Sequence, residues 1–403
     1  MRLNAVVWVS GLVTIAVIVF TYLIMTGERG LSKSSAPMRV LDITRLSDER
    51  VQRLGWSPDK LTTVFDHVAT LSTDSFVIVT NNEVVGAFGD LSKPYATHSM
   101  RKSFLSALFG QHFGKEQGRI NLDATLQELE IDDTQSPLTP LQKKATVLNL
   151  LRSVSGINHP AAASGGLQAD INKRLGHSEN KPGTVWAYNN WDYNALTTIF
   201  EDSTGLGIAT AFKEGIAKPT GMKDFDVSAV SYVVDTDISM HKAAAFRMSA
   251  RDLVKFGRLF LNNGRVNDRQ ILPASWVDRA TKEYTVTGMS GLRWAHGYLW
   301  WIPGPDTGLP EGSFWAWGLG NQALFVVPAW DTVIVHQSDS TEFLKRFLPM
   351  IEAGGHEGEK ALERLILSCR DSDNRKSEYC IEHRFITRRE FNTLISLIVQ
   401  AHT

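Results

Sequence analysis

Apolar and polar positions recur along this chain with periods that change from segment to segment, and each period predicts an element. Residues 5–25 carry no charge, and only Ser10, Gly11, Thr14 and Thr21 interrupt their apolar run. A bilayer-crossing helix needs about 20 residues, whereas the apolar core of a signal peptide has about 7–15. Residues 1–27 therefore read as a retained membrane anchor in preference to a cleaved signal. Residues 28–55 read as a linker, opening on the small, polar, aperiodic stretch from Gly27 to Pro37. Ser57-Pro58 supplies an N-cap and a first-turn proline, and Leu61, Val64, Phe65, Val68 and Leu71 follow as one helical stripe. Phe76 to Val79 and Val84 to Ala87, separated by Asn81-Asn82, read as a hairpin.

A second helix is expected from Ser99, carrying Phe104, Leu105, Leu108 and Phe109. Residues from about 123 to 285 read as an all-α insert, with apolar helical segments around Leu148–Leu151 and Arg251–Phe260. Strand character returns at Gly297–Trp301, Ala323–Val327 and Thr332–His336. Residues of about 341–386 read as an insertion. A capping box, Thr387 to Glu390, then opens a closing helix over about 387–401, with Phe391, Leu394, Ile395, Ile398 and Val399 on one face. The order predicts a domain over residues 56–403 of the α/β class, α+β type: an antiparallel sheet flanked by N- and C-terminal helices, with an all-α insert.

Composition narrows the function. Hydrophobic residues make up 43% of the 403 and charged residues 21%, which is globular and neither disordered nor fibrous. The 42 Lys and Arg nearly balance the 43 Asp and Glu, and no basic run exists, so nucleic acid is not an expected partner. Cys369 and Cys380 would close a short loop in an oxidising compartment and stay free thiols in cytosol. Arg2 precedes the apolar span while Arg29, Lys33 and Arg39 follow it, but long domains translocate largely regardless of such counts. The expectation is a single-pass protein of the inner (cytoplasmic) membrane, with its domain in the periplasm or outside the cell.

G-x-S-x-G, P-loop and H-E-x-x-H motifs are missing. Gly318 to Ala323 formally fits G-x-G-x-x-A, but a strand follows it where a dinucleotide loop needs a helix. Neither cofactor nor metal is expected. The remaining motif is S-x-x-K, which on a helix puts a hydroxyl and an amine on one face, where a desolvated amine can take the hydroxyl proton. Four copies occur: Ser57/Lys60, Ser99/Lys102, Ser178/Lys181 and Ser239/Lys242. Ser57 reads as a helix cap, Ser178 lies in a polar loop, and Ser239 has no apolar helix behind it. Ser99 alone opens an apolar helix beyond a hairpin.

Tyr188-Asn189-Asn190 is the chain's one Y-x-N. With Ser99-Met100-Arg101-Lys102 before it, the chain resembles the serine β-lactamase-like hydrolases: class C β-lactamases, D-alanyl-D-alanine carboxypeptidases, and related esterases and aminohexanoate-oligomer amidases. Leu150 to Ile157 and Phe246 to Leu253 resemble recurrent stretches of that family, and the likeness runs over about residues 60–340. It implies Ser99 as acylated nucleophile, Lys102 as neighbouring proton acceptor, Tyr188 as proton relay, and Asn190 as the residue orienting the substrate carbonyl or the lysine. Whether Lys102 or Tyr188 is the base stays open at this point, since the two would titrate together.

Where the family has K-T-G or H-x-G, this chain has Trp317-Gly318-Leu319-Gly320-Asn321-Gln322, so Leu319 stands for the cation. Leu319, Gly320 and Gln322 are the further substrate-binding candidates, with the amides of Ser99 and Gln322 as oxyanion donors. His98 would point away from the nucleophile's face. Trp294, Trp300, Trp301, Trp315 and Trp317 would supply core and cleft wall. The resemblance implies a serine hydrolase of small-molecule esters, amides or peptides, and Leu319 in place of the cation favours neutral apolar ones. Its rival is a catalytically weak penicillin-binding or cell-wall-ligand sensor.

Overall fold

A computed structural model describes residues 46–114, 120–163, 168–176, 179–341 and 386–403. The apolar stretch 5–25, most of the linker, Ser178, Cys369 and Cys380 lie outside the described residues. Among the described residues no helix is long and apolar enough to cross a membrane.

Helix α1 (Pro58–Thr70) starts as its cap chemistry predicts, with the Ser57 side chain accepting from the Lys60 amide. Strands β1 (Ser75–Thr80) and β2 (Glu83–Gly89) form the expected hairpin, turned by Asn81 and Asn82 at φ of 48° and 65°. Both central residues are left-handed, which asparagine tolerates well and which matches the twist of the flanking strands. Then come β3 (Tyr95–Ala96), α2 (Arg101–His112), α3 (Asn190–Thr204), β4 (Val230–Asp235), β5 (Ser239–Met248) and α4 (Ala250–Leu261). A small hairpin, β6 (Arg265–Val266) and β7 (Arg269–Gln270), precedes β8 (Thr285–Val286), β9 (Ala295–His296), β10 (Trp301–Ile302), β11 (Phe314–Gly318), β12 (Gln322–Val327) and β13 (Thr332–Gln337). Helix α5 (Arg388–Ala401) closes the chain on the predicted capping box of Thr387 and Glu390.

One antiparallel sheet in the order β2-β1-β13-β12-β11-β10-β9-β8 dominates. Every residue of β1, β12 and β13 is buried because both faces are covered. On one face α4 comes so close that a Cβ on Gly257 would meet Val333 and Leu324 at 2.7 and 2.8 Å. On the other, Phe391 of α5 packs on Trp315, Phe325 and His336, and Phe65 of α1 covers Phe76.

Two expectations need correction. The stretch 123–285 is not all-helical: β5 pairs with β3 and β4 in a second sheet, and the β6–β7 hairpin follows. Along β5 the inward positions begin with Ser239, His241 and Ala243, whereas Met240 points out at 50% exposure, so the usual polarity alternation is inverted. The strand expected at Gly297–Trp301 is mostly a turn between β9 and β10, with Leu299 at φ 65° and Gly297 donating its amide to Trp300 O.

Candidate active site

Helix α2 is buried around its whole circumference from Arg101 to Gly110, as an apolar helix inside a core must be. Phe104 at its centre touches the rings of Phe212, Phe246 and Phe256, with centroids 4.9–5.5 Å away. That packing holds the preceding 3-10 turn, His98–Met100, and with it Ser99. His98 sits at φ 47° and its ring lies 2.5 Å from Ser340 Oγ. Burial brings its imidazole down to about 4, so it is neutral at neutral pH. A Cβ on Gly318 would strike Thr97 O at 2.2 Å and His98 Cβ at 3.2 Å, so glycine lets the end of β11 press against the turn carrying Ser99.

Lys102 Nζ lies 2.8 Å from Ser99 Oγ in a hydrogen bond. The amine is 2% exposed and sits between two aromatic faces, 4.6 Å from the Tyr188 centroid and 4.8 Å from that of Tyr193. Burial, followed by the neighbouring Arg101 charge, pushes Lys102 well below the ordinary lysine value. Tyr188 precedes α3, whose N-cap Asn189 accepts from the Trp191 amide and donates to Ile157 O. The Tyr188 ring stacks on Trp301 at 5.3 Å and lies against the Lys102 amine that bonds Ser99. Burial pushes the phenol up to about 12, leaving it protonated at neutral pH.

The geometry therefore brings Ser99, Lys102 and Tyr188 together. Neither other S-x-x-K copy within the described residues does so: Ser57 caps α1 while Lys60 reaches Gln400 O, and Ser239 donates to Asp133 while Lys242 pairs with Glu201. Asn190, at the start of α3, donates to Ala163 O. Leu319, half-buried, and Gly320 occupy the β11–β12 turn beside Asn321 at φ 56°. Gln322 pairs with Gly318 and is fully buried, its side chain donating to Ser338 O. Of the five tryptophans, Trp301 and Trp317 reach this region, with centroids 6.3 Å apart, while Trp300 and Trp315 belong to the core against Phe314 and Phe325. Trp294 packs on Tyr284.

Sequence reasoning missed the layer beneath. Tyr193 OH lies 2.8 Å from Ser153 Oγ, which is 3.3 Å from His296 Nδ1. Burial brings His296 down to about 3, so this layer is uncharged at neutral pH. Arg101, also missed, is buried and donates to Asn194 Oδ1 at 2.9 Å. Its one local signal is a charge at the head of an otherwise apolar helix. Among the described residues no group of three His, Cys, Asp or Glu side chains is placed to hold a metal ion.

Comparison with known proteins bears on this arrangement. The family model for beta-lactamase matches residues 63–350. An uncharacterized protein of Alkalihalophilus pseudofirmus is 25% identical over 263 residues, covering 60% of this chain and 72% of that protein. A solved Bacillus anthracis structure, named as a 6-aminohexanoate-dimer hydrolase, is 25% identical with a TM-score of 0.50, covering 82% of this chain and 89% of that one. EstCE1, a hydrolase with promiscuous acyltransferase activity, has a TM-score of 0.52 at 14% identity over 72% of this chain and 94% of its own, a likeness of fold alone.

Proposed function

Because this chain belongs to the beta-lactamase family, we propose that it is a serine hydrolase that cleaves an ester or amide through an acyl-enzyme on Ser99. The observation that carries the reading is the 2.8 Å bond between Ser99 Oγ and a buried Lys102 amine, with the Tyr188 ring 4.6 Å from the same amine. Ser99 Oγ attacks the substrate carbonyl carbon while its proton passes to Lys102 Nζ. Of the two candidate bases Lys102 is the better, since its ammonium is destabilised by burial whereas Tyr188 stays a protonated phenol. Tyr188 would then give its proton to the leaving oxygen or nitrogen. A water attacks the acyl carbonyl and passes its proton to the Tyr188 phenolate, and Ser99 Oγ departs with the proton held on Lys102. The Ser99 amide at the head of α2 is one oxyanion donor, and the β11–β12 end, for which Gln322 is our candidate, supplies the second. Asn190 would orient the carbonyl.

Leu319 bears on substrate choice and not on acylation. Apolar surface in place of a cation favours neutral, moderately apolar esters or amides over carboxylate-bearing penicillins and peptides. The test is p-nitrophenyl acetate hydrolysis by the wild type and by Ser99→Ala. Continuous turnover that the variant loses supports the reading, and a single acylation without turnover would favour the sensor. We further propose that residues 5–25 anchor the domain outside the cytosol. Membrane fractionation followed by protease treatment of intact cells tests this, and a protein released by salt alone would count against it.

A further inference from the structure

We propose that Arg101 is a positioning residue for this chemistry: clamped on Asn194 and buried beside Lys102 without a carboxylate partner, its permanent charge keeps the Lys102 amine neutral and able to take the Ser99 proton. The inference rests on the reading of Ser99 as nucleophile and Lys102 as its proton acceptor.

The placement is specific. Arg101 and Lys102, 7% and 2% exposed, reach successive residues of α3: Arg101 Nη2 donates to Asn194 Oδ1, and Lys102 Nζ lies over the Tyr193 ring. The Asn194 amide is itself oriented, because its Nδ2 donates to Ala162 O at 2.9 Å. Its oxygen is therefore committed to the guanidinium. Among the described groups facing this pair, no carboxylate bonds either cation. From α3 and the segment before it come Tyr188 and Tyr193, both held protonated by burial. Asp192 points to Ser155, and burial raises its carboxyl well above the ordinary value. From β9 comes His296, and from the turn before α2 comes His98, both neutral. Arg293, near Tyr188, adds another positive charge. No described carboxylate pairs with either cation.

Two adjacent buried cations without a counter-charge cannot both be retained at low cost, and the one that can lose its proton does so. Arginine is the group that stays charged: even after burial it lies at about 10. A purely structural clamp could have used an uncharged donor to Asn194. The charge is the part of Arg101 that acts on Lys102.

The test is the pH profile of kcat/KM for p-nitrophenyl acetate in the full chain. Arg101→Met should move the acidic limb up by about one pH unit or more, with activity recovering toward the wild-type plateau at alkaline pH. Asn194→Asp keeps and strengthens the clamp while neutralising the guanidinium, so it should also move the limb up, and it carries the test if Arg101→Met does not fold. A pH-independent loss in Arg101→Met, or an unmoved limb in Asn194→Asp, overturns the inference and leaves a structural clamp. Absence of Ser99-dependent hydrolysis in the wild type defeats the underlying reading and the inference with it, a failure distinct from an unmoved limb.

Discussion

Removing one oxygen atom from Tyr188 separates its chemistry from its packing. The ring is held by aromatic neighbours: Trp301 stacked at 5.3 Å, Tyr193 at 5.1 Å and His296 edge-on at 5.8 Å. Tyr188→Phe keeps those contacts and removes only the hydroxyl. Loss of a positioned acid–base group lowers rate by about 10²–10⁴. At about 1.36 kcal/mol per decade, that is about 2.7–5.4 kcal/mol of transition-state stabilisation. The folded state forfeits at most one ordinary hydrogen bond, about 0.5–1.5 kcal/mol. Tyr188→Ala, by contrast, empties an aromatic site and should destabilise by about 3–5 kcal/mol. The assay is kcat/KM for p-nitrophenyl acetate alongside urea unfolding of both variants. A Tyr188→Phe enzyme within about threefold of wild type would remove the phenol from the mechanism, whatever the alanine variant does.

Other outcomes follow from the same geometry. Lys102→Met should abolish turnover yet stabilise the domain at neutral pH by about 0.5–2 kcal/mol. Because burial puts the folded-state value below the unfolded 10.5, the unfolded chain binds the extra proton between those values. The lysine's penalty is therefore full below the folded value and fades as pH rises to 10.5, so the variant's advantage in urea should shrink in parallel. A variant less stable than wild type at pH 7 contradicts this. Leu319→His or Leu319→Lys should shift the kcat/KM ratio toward carboxylate substrates by about 10–100-fold while acetyl-ester turnover stays within about tenfold, and an unmoved ratio refutes the role given to Leu319. Gly257→Ala should destabilise by about 1–3 kcal/mol, since its Cβ would meet Val333 and Leu324 inside contact distance, and an unchanged unfolding midpoint would mean α4 is free to lift.

Much of the fold was legible where local chemistry decides it. Asn81-Asn82, Ser57-Pro58 and the Thr387–Glu390 box each act within four residues, and the structure bears them out. The second sheet was not legible, because the inward side of β5 begins with small and polar groups and the apolar run of β4 faces outward. At the site, the S-x-x-K spacing on a buried helix pointed to Ser99 and Lys102, but the same spacing at Ser57 and Ser239 serves capping and a buried carboxylate. Arg101, Ser153 and His296 take their meaning from partners 93, 40 and 143 residues away in the chain, which no local pattern carries.

The central claim is a covalent acyl group on Ser99, and intact-protein mass spectrometry after brief exposure to a fluorophosphonate and, separately, to a slowly hydrolysed ester tests it most directly. The account predicts one added mass per chain in each case, mapped by peptide sequencing to Ser99, absent from Ser99→Ala and retained in Ser239→Ala. Equal labelling of the Ser99→Ala protein, or an adduct mapped to another serine, would contradict it.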